Sequence, residues 1–443
     1  MNIRKPVYFF LVGLRGQPLG RFYHQYLHEY QTGIPAGTTQ RLLAGLLRHC
    51  RQNVPYYAKI MRDQPGSFES DPIEYLERFP ILTKQDVRRN FEALKSADLP
   101  RRRWYYNSTG GSTGEPVRLI QDWEYAARSG AVSLLFSKLA GREAGESEIK
   151  IWGSSRDVTR STESLRARLA LGLENTLILN SVSMSRERMR EFISILNRRR
   201  PKLIVAYVEA AYALAKFAES EGLKVVPQAA VITAAGKLYP FMREKIEAVF
   251  GCPVFDRYGS REFGDIACER PGQSGLWAAP WGNYLEIVDS EGRRVPGGVE
   301  GEILVTSLTN YAMPLIRYRI GDRGILSPSL PHEEGAGQIL QEVTGRSMDL
   351  FRSQDGALIN PGFFMANLYF RDWINHYQVI QKDYSMVVYK IVKEAEPPAA
   401  ELAEIAAITR KALGSDCEVV FEFVETIPPS PSGKFRFLIS ELS

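Results

Sequence analysis

The sequence predicts an α/β protein, with a large N-terminal domain of mostly parallel sheet, helices and a β-rich annex, and a small α+β domain at the C-terminal end. Three observations carry that prediction. From about residue 104 to 340, short β-rich runs alternate with helical ones, the pattern of a parallel sheet with crossover helices. Within that stretch, "NYLEIVDSEGRRVPGGVEGEILVTSL" reads as two antiparallel strands around a Gly/Pro-rich turn. Beyond it, "YSMVVYKIV" (Tyr384 to Val392), "AAELAEIAAITRKALG" and "CEVVFEFVETI" (Cys417 to Ile427) spell a β-α-β unit. A chain of 443 residues exceeds one small core and suits about two or three domains.

Residues 1 to about 100 read as helical, broken at Pro55, Pro65, Pro72, Pro80 and Pro100. In "LTKQDVRRNFEAL", Thr83 is placed to cap an amphipathic run. The apolar "VYFFLVGL" is far shorter than the roughly 20 residues needed to cross a bilayer, so no membrane span is expected; the segment reads as a buried helix, with a segment resting on a membrane or a partner as the alternative. Further on, "KLIVAY" is a β-rich run, and Ala211, Leu214, Phe217 and Ala218 recur at helical spacing up to Gly222. "AAVITAA" is the next strand, "YPFMREKIEAVFG" the next helix and "PVFDRYG" a third strand. In such sheets ligands gather beyond the strand ends, where "AAGKL" and "YGSREFG" fall.

Composition narrows the partners. The 56 basic and 51 acidic residues leave a net charge of only +5, and neither Arg101 to Arg103 nor Arg198 to Arg200 is interleaved with base-stacking aromatics, so nucleic acid is not expected. Four scattered cysteines without C-x-x-C and five histidines support neither a zinc site nor a disulfide framework, and fit a reducing cytoplasm.

"NSTGGSTGEP", Asn107 to Pro116, is the most informative stretch. Glycine lets several backbone N–H groups turn toward one point, and Ser108, Thr109, Ser112 and Thr113 add hydroxyl donors, a combination suited to phosphate oxygens. Neither G-x-x-x-x-G-K-[ST] nor G-x-G-x-x-G occurs in the chain, which disfavours a P-loop NTPase and a dinucleotide-binding Rossmann domain. The loop is followed, in order, by "DRYGSREFG" (Asp256 to Gly264), "YAMPLIRYRIGDRG" (Tyr311 to Gly324), "VTGRSMDLF" (Val343 to Phe351) and "PPSPSGKFRF" (Pro428 to Phe437).

This ordered set resembles the core motifs of the adenylate-forming superfamily of acyl-CoA synthetases, peptide-synthetase adenylation domains and luciferases. "VPYYAKI", "FPILTKQDVRRNFEAL" and "YGSREFG" look like its phenylacetate:CoA ligase branch, including relatives encoded with capsular polysaccharide genes. The resemblance implies activation of a carboxylic acid, aryl or otherwise small, by attack on the α-phosphate of ATP. An acyl-adenylate and pyrophosphate result, and the acyl group then passes to a thiol, CoA being the expected acceptor. It also implies site residues. Thr109, Gly110, Gly111, Ser112, Thr113 and Gly114 would form the phosphate loop, with Ser108 at its entrance. Glu262 would help hold Mg²⁺, a hard cation that prefers oxygen ligands. Tyr258, with Gly259 and Ser260, would lie against adenine, Asp322 would accept from the ribose hydroxyls, and Arg346 would reach ribose or phosphate. Lys434 would be inserted against the α-phosphate, joining Thr113 and Glu262 in catalysis. Asp349 matches the hinge about which a mobile lid turns.

The substrate pocket would draw on Tyr207, Ala235, Gly236, Phe263 and Gly264, with Glu209 nearby on a helix. Arg317 and Arg319 read as structural. The chain departs from the family pattern where Val117 follows Pro116 in place of the usual lysine, with Arg118 one step late. The expected domains are a helical leader over 1–100, the adenylate-forming domain over 101–348 and a lid over 349–443. Two rival readings stay open: an adenylyltransferase or acyl-adenylate ligase with a non-CoA acceptor in polysaccharide biosynthesis, and a nucleotide-binding protein that has lost turnover. Homodimer formation is left open as well.

Overall fold

The computed structural model describes the chain apart from residues 1, 3, 15, 63–65, 109–116, 153–170, 182–183, 329–335, 347–350, 354–357, 360–363, 365–367, 369–370, 372, 429–436 and 443. The chain divides into two compact units: Met1–Ile320 with Gly324–Glu342, and Gly321–Arg323 with Val343–Ser443.

The first unit opens with helices. Leu19–Thr32 buries Leu19, Phe22, Tyr23 and Tyr26, and the Tyr26 ring stacks on Trp281 at 4.6 Å between centroids. The preceding helix, Arg4–Leu14, departs from the expected buried helix. Only its Tyr8, Phe9 and Val12 stripe packs inward, while Val7, Phe10 and Leu14 face outward, because a helix laid on a surface covers one stripe and not its whole circumference. Thr83 caps as expected: its Oγ1 accepts from the Asp86 backbone N–H at 3.2 Å, and the Asp86 carboxylate accepts from the Thr83 N–H at 3.0 Å. That helix stops at Arg89, and Phe91–Leu94 forms a separate turn.

Strands β1 (Trp104–Ser108) and β2 (Arg118–Asp122) form an antiparallel hairpin with Ser108 opposite Arg118. The Asp122 carboxylate then accepts from the Tyr125 N–H at 2.7 Å, capping the helix Trp123–Leu139. A five-stranded parallel sheet follows, built from β3 (Glu148–Trp152), β4 (Thr176–Asn180), β5 (Leu203–Tyr207), β6 (Val231–Ala234) and β7 (Val254–Phe255), in the order β4-β3-β5-β6-β7. β5 and β6 are wholly buried and mostly aliphatic, as suits strands covered on both faces. The intervening helix Val208–Ser220 is followed by Gly222 at φ +62, and the helix Pro240–Phe250 ends on Gly251 at φ +60, the left-handed cap that glycine adopts without strain.

The segment "PVFDRYG" is not one strand. β7 closes the parallel sheet, and after Asp256 the chain enters β8 (Arg257–Ser260), the edge of a seven-stranded sheet. Period-2 patterning cannot detect a strand that changes partners in mid-run. The larger sheet adds β9 (Gly264–Arg270), β10 (Gln273–Ala278), β11 (Asn283–Val288), β12 (Glu300–Ser307), β13 (Tyr318–Leu326) and β14 (Gln338–Arg346), in the order β11-β12-β13-β14-β10-β9-β8. β11 and β12 pair antiparallel with Asn283 opposite Ser307, as the sequence suggests. Arg317, at φ +48, donates to the carbonyls of Glu77, Phe79 and Gly292, tying the helical leader to this sheet.

The second unit holds the short pair β15 (Phe351–Arg352) and β16 (Leu358–Ile359), and a sheet of β17 (Ile374–Asp383), β18 (Met386–Lys393), β19 (Glu418–Phe423) and β20 (Leu438–Ser440) in the order β19-β18-β17-β20. β18 and β19 run parallel with the helix Ala399–Leu413 between them, the β-α-β unit read from the sequence. The Tyr389 hydroxyl meets Thr409 Oγ1 at 2.5 Å, fixing that helix on the sheet. Among the described residues no helix is long and apolar enough to cross a membrane.

Candidate active site

β8 and β9 are joined by a three-residue tip, Arg261 to Phe263, with Ser260 opposite Gly264. Two glycines make so tight a reversal possible. A Cβ on Gly259 would come within 2.5 Å of the Gly264 carbonyl oxygen, and Gly264 itself sits at φ +66, where a Cβ would lie 2.3 Å from Ser129 Oγ. Glu262 stands at the tip and is 7% exposed.

The tip is clamped from the β1–β2 hairpin. Gln121 Nε2 donates to the carbonyls of Arg261 and Glu262, each at 3.1 Å. Asn107 Nδ2 donates to the Arg261 carbonyl at 3.0 Å and to Gln121 Oε1 at 2.9 Å, and the Tyr125 hydroxyl donates to the Glu262 carbonyl at 3.3 Å. Two residues of the strands that the glycine-rich loop connects, more than one hundred positions earlier in the chain, therefore hold the backbone of Arg261 and Glu262. On the other side the Tyr318 hydroxyl donates to Glu262 Oε1 at 3.4 Å. Burial, reinforced by the Glu262 charge, pushes the Tyr318 phenol upward, so it stays a donor at neutral pH. Ser260 Oγ is buried without a hydrogen-bond partner among the described residues.

A second cluster forms at the carboxyl ends of β5 and β6, where Tyr207 lies opposite Ala234. Ala235 is held at φ +69, a strained value for a residue with a Cβ. A Cβ on Gly236 would fall 2.3 Å from Glu209 Oε1, so the Glu209 carboxylate lies directly against this backbone and is not the plainly exposed helix carboxylate that its position suggests. Tyr207 packs on Trp152 with centroids 4.3 Å apart. The clusters are linked through Thr233, whose Oγ1 donates to the Asp256 carboxylate at 3.2 Å.

Comparisons with known proteins give the chain relatives in sequence and in fold. Residues 351–441 match the CapK C-terminal domain family. Protein CapK of Staphylococcus aureus is 23% identical over 403 residues, covering 89% of this chain and 86% of its own. A phenylacetate-coenzyme A ligase of Aromatoleum evansii is 29% identical over 320 residues, covering 69% of this chain and 68% of its own. Over about 70–90% of its length the chain is thus similar to phenylacetate-coenzyme A ligases and to protein CapK. In fold, the chain is similar to a 2-hydroxyisobutyryl-CoA ligase in its postadenylation state (TM-score 0.68, 18% identity, 91% of this chain and 89% of that one). It is also similar to the anthranilate CoA ligase AuaEII (TM-score 0.54, 19% identity, 74% of this chain and 64% of that one).

In this chain, Glu262, Phe263, Gly264, Tyr258, Gly259 and Ser260 share one hairpin, and Tyr207, Ala235 and Gly236 share one edge of the parallel sheet. Ser108 ends β1 and donates its N–H to Asn107 Oδ1 at 2.8 Å. Asp322 lies half-buried on β13, and Arg346 ends β14. Thr109 to Gly114, Asp349 and Lys434 lie outside the described residues. Arg118, the sequence's candidate to replace the missing loop lysine, lays its guanidinium over the rings of Tyr106 and Phe91, 4.5 and 4.9 Å from their centroids. Sequence reasoning missed Asn107 as an anchor, together with Gln121, Tyr125, Ser129 and Tyr318. Asn107 was visible as the first letter of the quoted loop, but no local pattern announces a partner in another element.

Glu262 fits a magnesium ion through the chemistry of its donor set: a buried carboxylate with one oxygen engaged by a neutral phenol. Among the described residues no group of three or more His, Cys, Asp or Glu gathers to cage a metal.

Proposed function

We propose that this protein is an AMP-forming acid-CoA ligase: it activates a carboxylic acid with ATP as an acyl-adenylate, releases pyrophosphate and passes the acyl group to CoA. The observation that carries the proposal is the clamp by which Asn107 and Gln121, on the two strands that the glycine-rich loop connects, grip the carbonyls of Arg261 and Glu262. A loop of backbone donors and hydroxyls is thereby tied to a buried carboxylate, the pairing that nucleotidyl transfer requires.

In this reading Thr109 to Gly114 cradle the β- and γ-phosphates, and Glu262 holds the magnesium ion that neutralises their charge. Tyr258 lies against adenine, and Asp322 and Arg346 fix the ribose. Tyr207, Ala235, Gly236 and Gly264 bound the acid. Lys434, from the C-terminal unit, brings a positive charge to the reacting phosphate oxygens, and Asp349 is the pivot that lets that unit exchange adenylation for thioester formation. Domains at 1–100, 101–348 and 349–443 follow from that pivot. Four free cysteines, all buried, support a reducing compartment such as the cytoplasm.

The test is ATP–pyrophosphate exchange driven by added acid, followed by CoA-dependent AMP release. Glu262→Gln keeps the hydrogen bond from Tyr318 but removes the charge, and exchange is expected to fall by about 100-fold or more while the fold survives. Lys434→Ala is expected to suppress exchange with ATP binding largely intact. Full exchange in both variants would sink the proposal.

A further inference from the structure

Between the parallel sheet and the helix Trp123–Leu139 lies a cavity of about 500 Å³, within the range of small-molecule sites, about 300–1,000 Å³. Its floor is one face of the sheet. Glu148, Lys150 and Trp152 alternate along β3, and the register sets Lys150 between Ile178 of β4 and Val205 of β5. Gly130, Ser133, Leu134 and Ser137 face it from the helix, at i, i+3, i+4 and i+7. A helix packed on a parallel sheet ordinarily meets it through aliphatic residues on both sides, and polar groups are tolerated there only where something satisfies them. Here three ion pairs lie in and around the interface. Glu148, 5% exposed, pairs with Arg142 and Lys150, each at 3.2 Å, and Arg257 pairs with Asp265 at 3.1 Å.

The cavity lies beside the candidate site. Asp265 follows Gly264 directly and accepts from Ser133 Oγ at 2.6 Å, Ser129 one turn earlier lies against Gly264, and Trp152 packs on Tyr207. Donors and acceptors remain to spare. The Lys150 ammonium has three N–H bonds and one carboxylate partner among the described residues, and of the Asp265 oxygens only Oδ2 is engaged in the pairs just named. Leu19, Leu134, Ile178 and Val205 also line the cavity, and a phenyl ring laid against them would leave the hydrogen-bonding groups unused.

We infer that the acid this enzyme activates carries a polyhydroxylated tail, held in this cavity by hydrogen bonds to Ser133, Asp265 and Lys150, and not an aromatic ring. The inference rests on the ligase reading, which supplies the carboxylate end, and adds the chemical class of what lies beyond it.

The experiment is ATP–pyrophosphate exchange on the full chain with two acid sets of similar size: phenylacetate and benzoate, against gluconate, glucuronate and glycerate. At least one polyhydroxy acid is expected to exceed the aryl acids by about tenfold or more in kcat/KM, since a site built around hydroxyl contacts rejects analogues that lack them. Parity or an aryl preference overturns the inference while leaving the ligase reading in place. Exchange with neither set overturns both. Lys150→Met and the milder Ser133→Ala should raise the KM for the polyhydroxy acid by about fivefold to tenfold, with the KM for ATP within about twofold. An unchanged acid KM in two folded variants also overturns it.

Discussion

Replacing Gln121 with leucine separates the clamp from the fold that surrounds it. Gln121 is 3% exposed, and its side chain makes three hydrogen bonds: two donated to the carbonyls of Arg261 and Glu262 and one accepted from Asn107. Each is worth about 1 kcal/mol net, and leucine matches the volume without offering a partner. Neither carbonyl is orphaned, because Arg261 keeps the bond from Asn107 and Glu262 keeps the one from Tyr125. The heavier penalty for an unpaired buried acceptor is therefore avoided, and the cost should stay near 2–3 kcal/mol. Urea denaturation of the variant should show that loss at unchanged slope. Pyrophosphate exchange should fall further than stability alone requires, by about 10-fold or more at temperatures where the variant is fully folded, because the loop and Glu262 lose their common anchor. A folded Gln121→Leu protein with wild-type exchange and unaltered KM for ATP would refute the view that this clamp aligns the site.

Gly264→Ala should destabilise by about 2–4 kcal/mol, since it strains a backbone at φ +66 and brings a methyl against Ser129 Oγ; Ser129→Gly in the same chain should recover only the steric part, and full recovery would contradict the backbone share. The Asp256 carboxyl is pushed up to about 6 from an ordinary 3.8 by burial and then by Glu269, so the folded state holds its proton more tightly than the unfolded one. Its ionisation therefore lowers stability as pH rises from about 4 to 6, and Asp256→Asn should gain up to about 3 kcal/mol at pH 7–8 and nothing below pH 4; a gain independent of pH would refute the assignment. All four cysteines are buried, and burial pushes the thiols of Cys50, Cys252 and Cys268 upward, so a thiol reagent at pH 8 should label the native protein slowly and take up four equivalents only in denaturant. Rapid labelling of the native chain would contradict the packing.

What the sequence made legible was whatever repeats locally. The helix Val208–Ser220 and its terminal glycine, the capping box at Thr83, the β11–β12 hairpin and the C-terminal β-α-β unit all follow from spacing within about twenty residues. The ordered motifs drew Glu262 and Gly264, and separately Tyr207 and Gly236, toward a common purpose, and each group does share one element or sheet edge. The clamp was illegible because Asn107 and Gln121 look like ordinary strand polar residues until Arg261 stands beside them. The cavity was illegible for a related reason: Ser133 reads as one more helix residue, and Lys150 as an alternation error in a buried strand, until the register sets the two faces opposite each other. Side-chain partnership across folded layers leaves no period in the text.

Asp256 is the sole residue between the last strand of the parallel sheet and the first strand of its antiparallel neighbour. A single inserted amino acid at that seam would rotate everything after it by half a pleat, sending Tyr258 and Ser260 to the opposite side of their strand and Arg257 into their place. Length variation should therefore be barred here even where individual letters drift, and homologous chains ought to align across this junction without a gap.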